Sequence, residues 1–260
     1  MTPDEPMLLQ DRRGDGVLVL TLNRPAQRNA LATPLLEAVA SALSEADLDA
    51  CVRCVLIAGN AKVFAAGADL DELARSDGSE PPEGPRWQAW AAISRFSKPL
   101  IAAVEGWCLG AGSELMLRCD LVVAGRGARI GQPETNLGVI PGAGGTVLLP
   151  RVVGWAVAMD MVLTGEPITG ERAHAIGLIS RVVEDGSALQ QATELAVKLA
   201  ARAPKALRVA KASVKAASTT PVDEHLLAER KDFLSLLSGA EKAEGISAFR
   251  EKREACWPLD

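Results

Sequence analysis

Short apolar runs alternate with stretches of helical period along most of this chain. Val17–Leu22 is an apolar run closed by Asn23-Arg24-Pro25, which predicts a strand and then a turn. Thr33 with Pro34 reads as a helix start. Leu35, Leu36, Val39 and Leu43 then share one face, with Glu37, Glu45 and Asp47 opposite, so the helix should end near Asp47. Residues 52–57 predict a buried strand ended by Gly59-Asn60. Residues 64–70 (FAAGADL) read as a loop of small residues, and 76–86 (SDGSEPPEGPR) as a mobile surface loop. Trp87, Trp90, Ile93 and Phe96 recur at helical spacing, which by itself predicts core packing. Further strands are expected at 99–104, 120–124, 128–131 and 179–183. A helix is expected over 155–163 with Gly165 near its end, and another capped by Thr169 with Glu171 in its first turn. Beyond about residue 187 only helical periods appear, at 187–202, 204–217, 222–237 and 240–253. The pattern is an α/β region followed by an all-helical tail.

Composition narrows the class. The chain has 260 residues, enough for a substantial core in one or two domains. Tyr is absent and aromatics make up 3%, so Ala, Leu and Val must fill that core. A net charge of −5 argues against non-specific nucleic-acid binding. No apolar run approaches the roughly 20 residues that span a bilayer. The start, MTPDEPMLLQ, has neither a secretory nor a transit pattern. With five cysteines, an odd number, the expectation is free thiols in a reducing cytoplasm. Cys51 and Cys54 form a CxxC, but the pair enters a strand and no second Cys or His pair stands at ligand spacing, so no metal site is expected. His174 and His225, the only histidines, fall inside predicted helices outside the motifs. No Gly-Lys-Ser/Thr and no complete strand–GxGxxG–helix unit is present, which excludes P-loop and Rossmann readings.

Candidate chemistry concentrates between Gly106 and Gly145. Glu114 follows Gly110-Ala111-Gly112-Ser113 and precedes an apolar run. Glu134 follows Gly131-Gln132-Pro133. A carboxylate at the edge of an apolar run is costly to bury unless paired or used. Neighbouring glycines let backbone N–H groups approach a ligand, and a helix start there favours negative charge. Two carboxylates beside a backbone anion site suit proton transfer next to a carbonyl whose oxygen becomes negative. Spacing alone would leave the two as unrelated surface groups.

The flanking motifs carry more. KPLIAAVEGWCLGAGSEL (98–115), ARIGQPETNLGVIPGAGGT (128–146), KVFAAGADLDEL (62–73), NRPAQRNAL (23–31) and EGISAFREKR (244–253) stand in one order along nearly the whole chain. Together they resemble the crotonase, or enoyl-CoA hydratase/isomerase, superfamily. The resemblance implies an α/β crotonase fold: a spiral of ββα repeats over 1–200 with the CoA and active sites, then a C-terminal helical region over 201–260 that holds a trimer or hexamer. It implies an acyl-CoA thioester substrate, with no metal and no cofactor beyond the CoA of the substrate. Glu114 and Glu134 would be catalytic, acting on one water, and the N–H groups of Ala68 and Ala111 would form the oxyanion hole. Ala66, Asp69, Leu70 and Arg28 would bind CoA, and Trp90, Ile140 and Pro141 would border the acyl pocket. Relatives with both glutamates resemble hydratases; those that isomerise commonly lack one. An isomerase of the same fold is the alternative enzyme reading.

Within the family the motifs are most similar to bacterial hydratases of the 2,3-dehydroadipyl-CoA type. Such a substrate ends in a carboxylate and calls for a cation at the far end of its pocket, for which Arg86 and Arg95 are candidates. Two departures stand out. Asp71 occupies a place where relatives often carry lysine, which leaves Arg28, Lys252 and Arg253 as candidates for the CoA phosphates. Val147-Leu148 stand where relatives often read Gln-Arg. Finally, Lys205, Arg208, Lys211 and Lys215 fall on one helical face. An RNA-binding module is therefore the alternative from another class, weighed against a merely solvated face.

Overall fold

The computed structural model describes residues 6–79 and 81–257. Residues 1–5 and 258–260, at the outer ends of the two expected regions, lie outside the described residues, as does Glu80 within the expected surface loop. Ten strands and eleven α-helices are described.

Strand β1 (Leu8–Arg12) runs antiparallel to β2 (Val17–Leu22), pairing Leu8 with Leu22. Helix α1 (Thr33–Leu48) follows, then β3 (Cys54–Ala58) and β4 (Val63–Ala65), then α2 (Leu70–Arg75) and α3 (Pro85–Arg95). Next come β5 (Leu100–Val104), β6 (Trp107–Leu109), α4 (Ala111–Met116), β7 (Leu121–Gly125) and β8 (Arg129–Gly131). Helices α5 (Gly145–Val153) and α6 (Trp155–Thr164), strand β9 (Ile168–Thr169), helix α7 (Gly170–Ala175) and strand β10 (Arg181–Val183) complete the mixed region. Helices α8 (Ala188–Ala200), α9 (Pro204–Ala216), α10 (Val222–Leu237) and α11 (Ala240–Glu251) end the chain.

Successive strands hop between two sheets. One has the order β1-β2-β3-β5-β7-β10; the other has β4-β6-β8-β9. Thus β3 passes to β4, β5 to β6 and β7 to β8, with helices returning the chain each time. That strand-strand-helix winding is the spiral the resemblance implies. From β2 to β10 the large sheet is parallel, with Val17 paired to Cys54, Val55 to Leu100 and Ile101 to Leu121. A parallel sheet must be covered on both faces, which is why β3 and β5 are buried at every position. Alternation divides them. Val17, Val19, Leu56 and Ile101 face Ala192, Leu195 and Ala196 of α8. Leu18, Leu20, Val55, Ile57 and Leu100 face the interior shared with α1 and α3.

Two polar groups fix the joints. Helix α1 starts at Thr33 as expected, but its cap comes from afar: the Glu72 carboxylate of α2 accepts from the Thr33 N–H and hydroxyl at 2.9 and 3.1 Å. At its other end the buried Lys98 ammonium donates to the carbonyl oxygens of Ala46, Asp49 and Val52 at 2.6, 2.8 and 2.8 Å.

Several expectations change. Residues 64–70 are not all loop: Phe64 and Ala65 end β4, and Leu70 begins α2. The second strand begins at Cys54, two residues late, because 52–53 still turn from α1. Trp107–Leu109 is a strand that no run of alternation announced. The loop after α2 ends at Gly84, since Pro85 and Arg86 already belong to α3. On α9, Lys211 and Lys215 turn to Asp120 at 2.7 and 3.5 Å, so that basic face is partly spent inside the fold. Among the described residues no helix is long and apolar enough to cross a membrane.

Asn29 anchors the loop that carries the motif 23–31. It is fully buried at φ +55°, donates to the Val63 and Phe64 carbonyls, and accepts from the Arg24 N–H. Replacing Asn29 by Ala strands these groups and strains the backbone. Urea unfolding should show a loss of about 2–4 kcal/mol, with Asn29→Gly losing less because it tolerates the positive φ.

Candidate active site

Three neighbouring strands of the small sheet, β4, β6 and β8, run parallel. Their carboxyl ends deliver three loops to one edge, the place where open α/β sheets present ligand sites. After β4 come Ala66, Gly67 and Ala68; after β6, Gly110 and Ala111; after β8 and the buried Gln132, Pro133 and Glu134. With residues of α3 and of 137–144 they line a cleft of about 830 Å³.

Glu114 sits on α4, whose six residues are all buried. Only 2% of Glu114 is exposed. Its Oε1 accepts from the Ala143 and Gly145 N–H groups at 2.7 and 2.8 Å. The Pro141–Gly145 turn is therefore a cradle for this carboxylate. Gly145 has to be glycine there: a Cβ would stand 2.7 Å from Pro141 Cβ and 2.9 Å from the Gln132 amide carbon. Burial pushes the Glu114 pKa up, against the pull of the two N–H groups and of Arg118 and Arg86.

Glu134 opens a short 3-10 turn (Glu134–Leu137). Its pKa is pushed up to about 7, chiefly by burial and further by the Glu114 charge. The buried Gln132 amide, oriented with its nitrogen toward Glu134, lies 3.2 and 3.3 Å from the two carboxylate oxygens. Gly110 faces this carboxylate. Its backbone, at φ 50° and ψ −124°, excludes an L side chain, and a Cβ would stand 2.9 Å from Glu134 Oε1.

Ala68 and Ala111 present N–H groups at the same edge. Ala111 is the first residue of α4, so its N–H has no intrahelical acceptor. Ala68 is held against Leu31 by a single bridge, with the Leu31 N–H donating to Gly67 O at 2.8 Å. Among the described residues no backbone hydrogen bond uses either N–H.

Of the residues expected at the site, Ala66, Ala68, Leu70, Trp90, Ala111, Glu114, Glu134 and Ile140 line the cleft. Three do not. Asp69 is turned away as the cap of α2, accepting from the Asp71 and Glu72 N–H groups and pairing with Arg24 at 2.9 Å. Arg28 is exposed in the left-handed region, and what it gives the site is a carbonyl that accepts from the Ala66 N–H at 3.1 Å. Pro141 is buried behind the wall, packed on Gly145. Of the two cations considered for the pocket end, Arg86 lines the cleft, while Arg95 donates to Ala91 O on the exposed face of α3. Arg253 is committed to Glu244 and Glu251. Arg118 was not expected and does line the cleft. Its position four residues after Glu114 is the signal that points to it.

The enoyl-CoA hydratase/isomerase family matches residues 12–258. A 2,3-dehydroadipyl-CoA hydratase of Escherichia coli K12 is 47% identical over 241 residues, 93% of this chain and 94% of the relative. The mitochondrial enoyl-CoA hydratase of Pongo abelii is 36% identical, over 95% of this chain and 86% of the relative. An enoyl-CoA hydratase subunit I structure from Geobacillus kaustophilus superposes with a TM-score of 0.93 at 35% identity, covering 98% of this chain and 99% of that one.

Glu134→Gln tests the burial of the second carboxylate. Between pH 4.5 and about 7 the folded protein holds a proton there that the unfolded chain has released, so stability falls as pH rises through that window. The neutral amide escapes the penalty. At pH 8 the variant should be more stable than wild type by about 1–3 kcal/mol, and at pH 4 the two should melt together, as thermal scans can read.

Proposed function

The chain belongs to the enoyl-CoA hydratase/isomerase family, and we propose that its activity as an enoyl-CoA hydratase is carried by Glu114, Glu134 and the N–H groups of Ala68 and Ala111. The reaction is addition of water across the 2,3-double bond of a trans-2-enoyl thioester. The observation that carries this reading is the pairing of two carboxylates in one cleft, both with raised pKa, beside two unengaged backbone donors.

The thioester carbonyl oxygen lies on the Ala68 and Ala111 N–H groups. They polarise the conjugated system and stabilise the enolate charge; losing one such donor typically costs roughly 3–4 kcal/mol of barrier. Glu114 is oriented by Ala143 and Gly145 through Oε1, which leaves its other oxygen to take a proton from the water as it attacks C3. Glu134, whose raised pKa keeps it partly protonated near neutral pH, protonates C2. The addition leaves Glu114 protonated and Glu134 ionised; passage of that proton from Glu114 to Glu134 restores the pair, so over one cycle a single water supplies the hydroxyl at C3 and the proton at C2, and no redox cofactor or metal is required.

Ala66 and Leu70 border the path of the CoA arm, whose phosphates reach toward the exposed Arg28. Substrate identity follows the E. coli relative: 2,3-dehydroadipyl-CoA is the thioester we assign first. We propose that the subunit assembles as a homotrimer or a dimer of trimers; the apolar Val222, Leu226, Leu227, Phe233 and Phe249 exposed on α10 and α11 support association through these helices. A cytoplasmic location fits the five free cysteines.

Hydration takes up no net proton, so forward and reverse reactions must share one pH dependence. The pair then works with one proton between its two carboxyls. Hydration of crotonyl-CoA or 2,3-dehydroadipyl-CoA, followed by loss of the conjugated thioester absorbance, should fall as pH rises past about 7, in both directions alike. Glu114→Gln and Glu134→Gln should each lose at least about a hundredfold in kcat. Full activity in either variant would remove that carboxylate from the mechanism.

A further inference from the structure

The cleft holds a cation to which the hydration steps give no role beyond its pull on the Glu114 charge. Arg118 follows Glu114 by one turn of the chain. Its Nη1 donates to the Glu114 carbonyl at 3.0 Å and its Nε to Ser94 Oγ at 3.0 Å. The guanidinium lies 4.5 Å over the Trp90 ring. Among the described residues it forms no ion pair with a carboxylate, and burial disfavours its charge. Gly144 leaves the space beside Nη2 open; a Cβ there would stand 3.4 Å from that nitrogen.

A second, independent feature sits at the same place. Trp90 is 5% exposed, lines the cleft, and has a buried indole N–H with no acceptor among the described residues. Unsatisfied buried donors are uncommon, and each calls for a partner. Arg86, the other cation of the cleft, already donates to Leu31 O at 2.9 Å and lies 3.7 Å from the Glu72 carboxylate. Arg118 is the cleft cation with no carboxylate partner among the described residues; the Trp90 N–H is enclosed, and its ring is the platform on which the guanidinium rests.

We propose that Arg118, resting on the Trp90 ring, receives a carboxylate at the far end of the acyl chain and selects ω-carboxy-2-enoyl-CoA thioesters over methyl-terminated ones. This rests on the hydratase reading above, in which Glu114 acts at C3. Side chains one helical turn apart stand roughly 5–6 Å apart at Cβ. A carboxylate a few carbons beyond C3 therefore comes within reach of the guanidinium. There it gains the planar, two-point hydrogen bonding that guanidinium and carboxylate share. A methyl-terminated chain offers the guanidinium no partner and leaves a cation against hydrocarbon.

The test compares kcat/KM for 2,3-dehydroadipyl-CoA and for trans-2-hexenoyl-CoA, its neutral counterpart of equal length. Taking the ratio within one preparation cancels any loss of folded enzyme. Wild type should favour the carboxylated substrate. Arg118→Met should lower the ratio about 10–100-fold, mainly through KM, and Arg118→Lys should restore part of it. Competition by the saturated adipyl-CoA and hexanoyl-CoA reads the same preference without turnover. An enzyme that hydrates neither substrate would thus strike the hydratase reading and leave this test standing. The proposal is overturned if wild type shows no preference in turnover or binding. It is equally overturned if Arg118→Met weakens both ligands alike, or if Arg86→Gln rather than Arg118→Met removes the selection.

Discussion

Two carboxylates share one cleft, and each is withdrawn from water. Burial disfavours the charge of both, and the Glu114 charge disfavours ionisation of Glu134 further. Such a pair persists in a fold only when other groups meet the cost. Here the backbone does so for Glu114, through the Ala143 and Gly145 N–H groups, and the Gln132 amide stands against Glu134. The glycines follow from the same requirement. Gly110 and Gly145 leave the room in which Glu134 and the Glu114 cradle sit, where a methyl group would collide. Raised pKa values, glycine placement and the tight turn at 141–145 are consequences of one constraint.

Holding that constraint in place is the task of the two sheets. The large parallel sheet is sealed between α8 on one face and the α1/α3 interior on the other. Each of its strands β3, β5 and β7 hands the chain to a short strand of the small sheet. A strand of three residues contributes little stability of its own, so β4, β6 and β8 depend on their neighbours and on buried ties such as Asn29. Because the three run parallel, their carboxyl ends converge. Backbone donors and both carboxylates therefore arrive at one edge from segments far apart in the chain. Gly112 lets α4 press on β4, since a Cβ would stand 2.4 Å from Ala65 O.

Charge around the cleft is allotted unevenly. Most cations near it are spent on structure: Arg24 on Asp69, Arg86 on Leu31 and Glu72, Lys211 on Asp120. Asp69 and Asp71, acids at the start of α2, serve that helix: Asp69 caps it, and both complement its dipole. Arg118 is the exception, a guanidinium over an indole, bonded among the described residues to a carbonyl and a hydroxyl. Over the Trp90 wall of the cleft, such a cation discriminates among acyl chains by what they carry at their ends.

Much of this was legible along the chain. Strands β2, β3 and β5, helix α1 and the four terminal helices follow from runs and periods that depend only on neighbouring residues. The ordered motifs tied Glu114, Glu134, Ala68 and Ala111 together before any contact was known. The short strands β4 and β6 were not announced, because too few residues form them for a period to show. Asp69, Arg28 and Pro141 share the motifs but not the cleft, since a cap, a left-handed turn and a packing contact orient them elsewhere. The family, the α/β class and the identity of the two carboxylates were set by the order of residues alone, through local pattern and motif. Their acidity, the cradle that holds Glu114 and the exposure of Arg118 to the cleft were decided only by the tertiary structure. Each depends on burial and on partners that sequence spacing does not bring together.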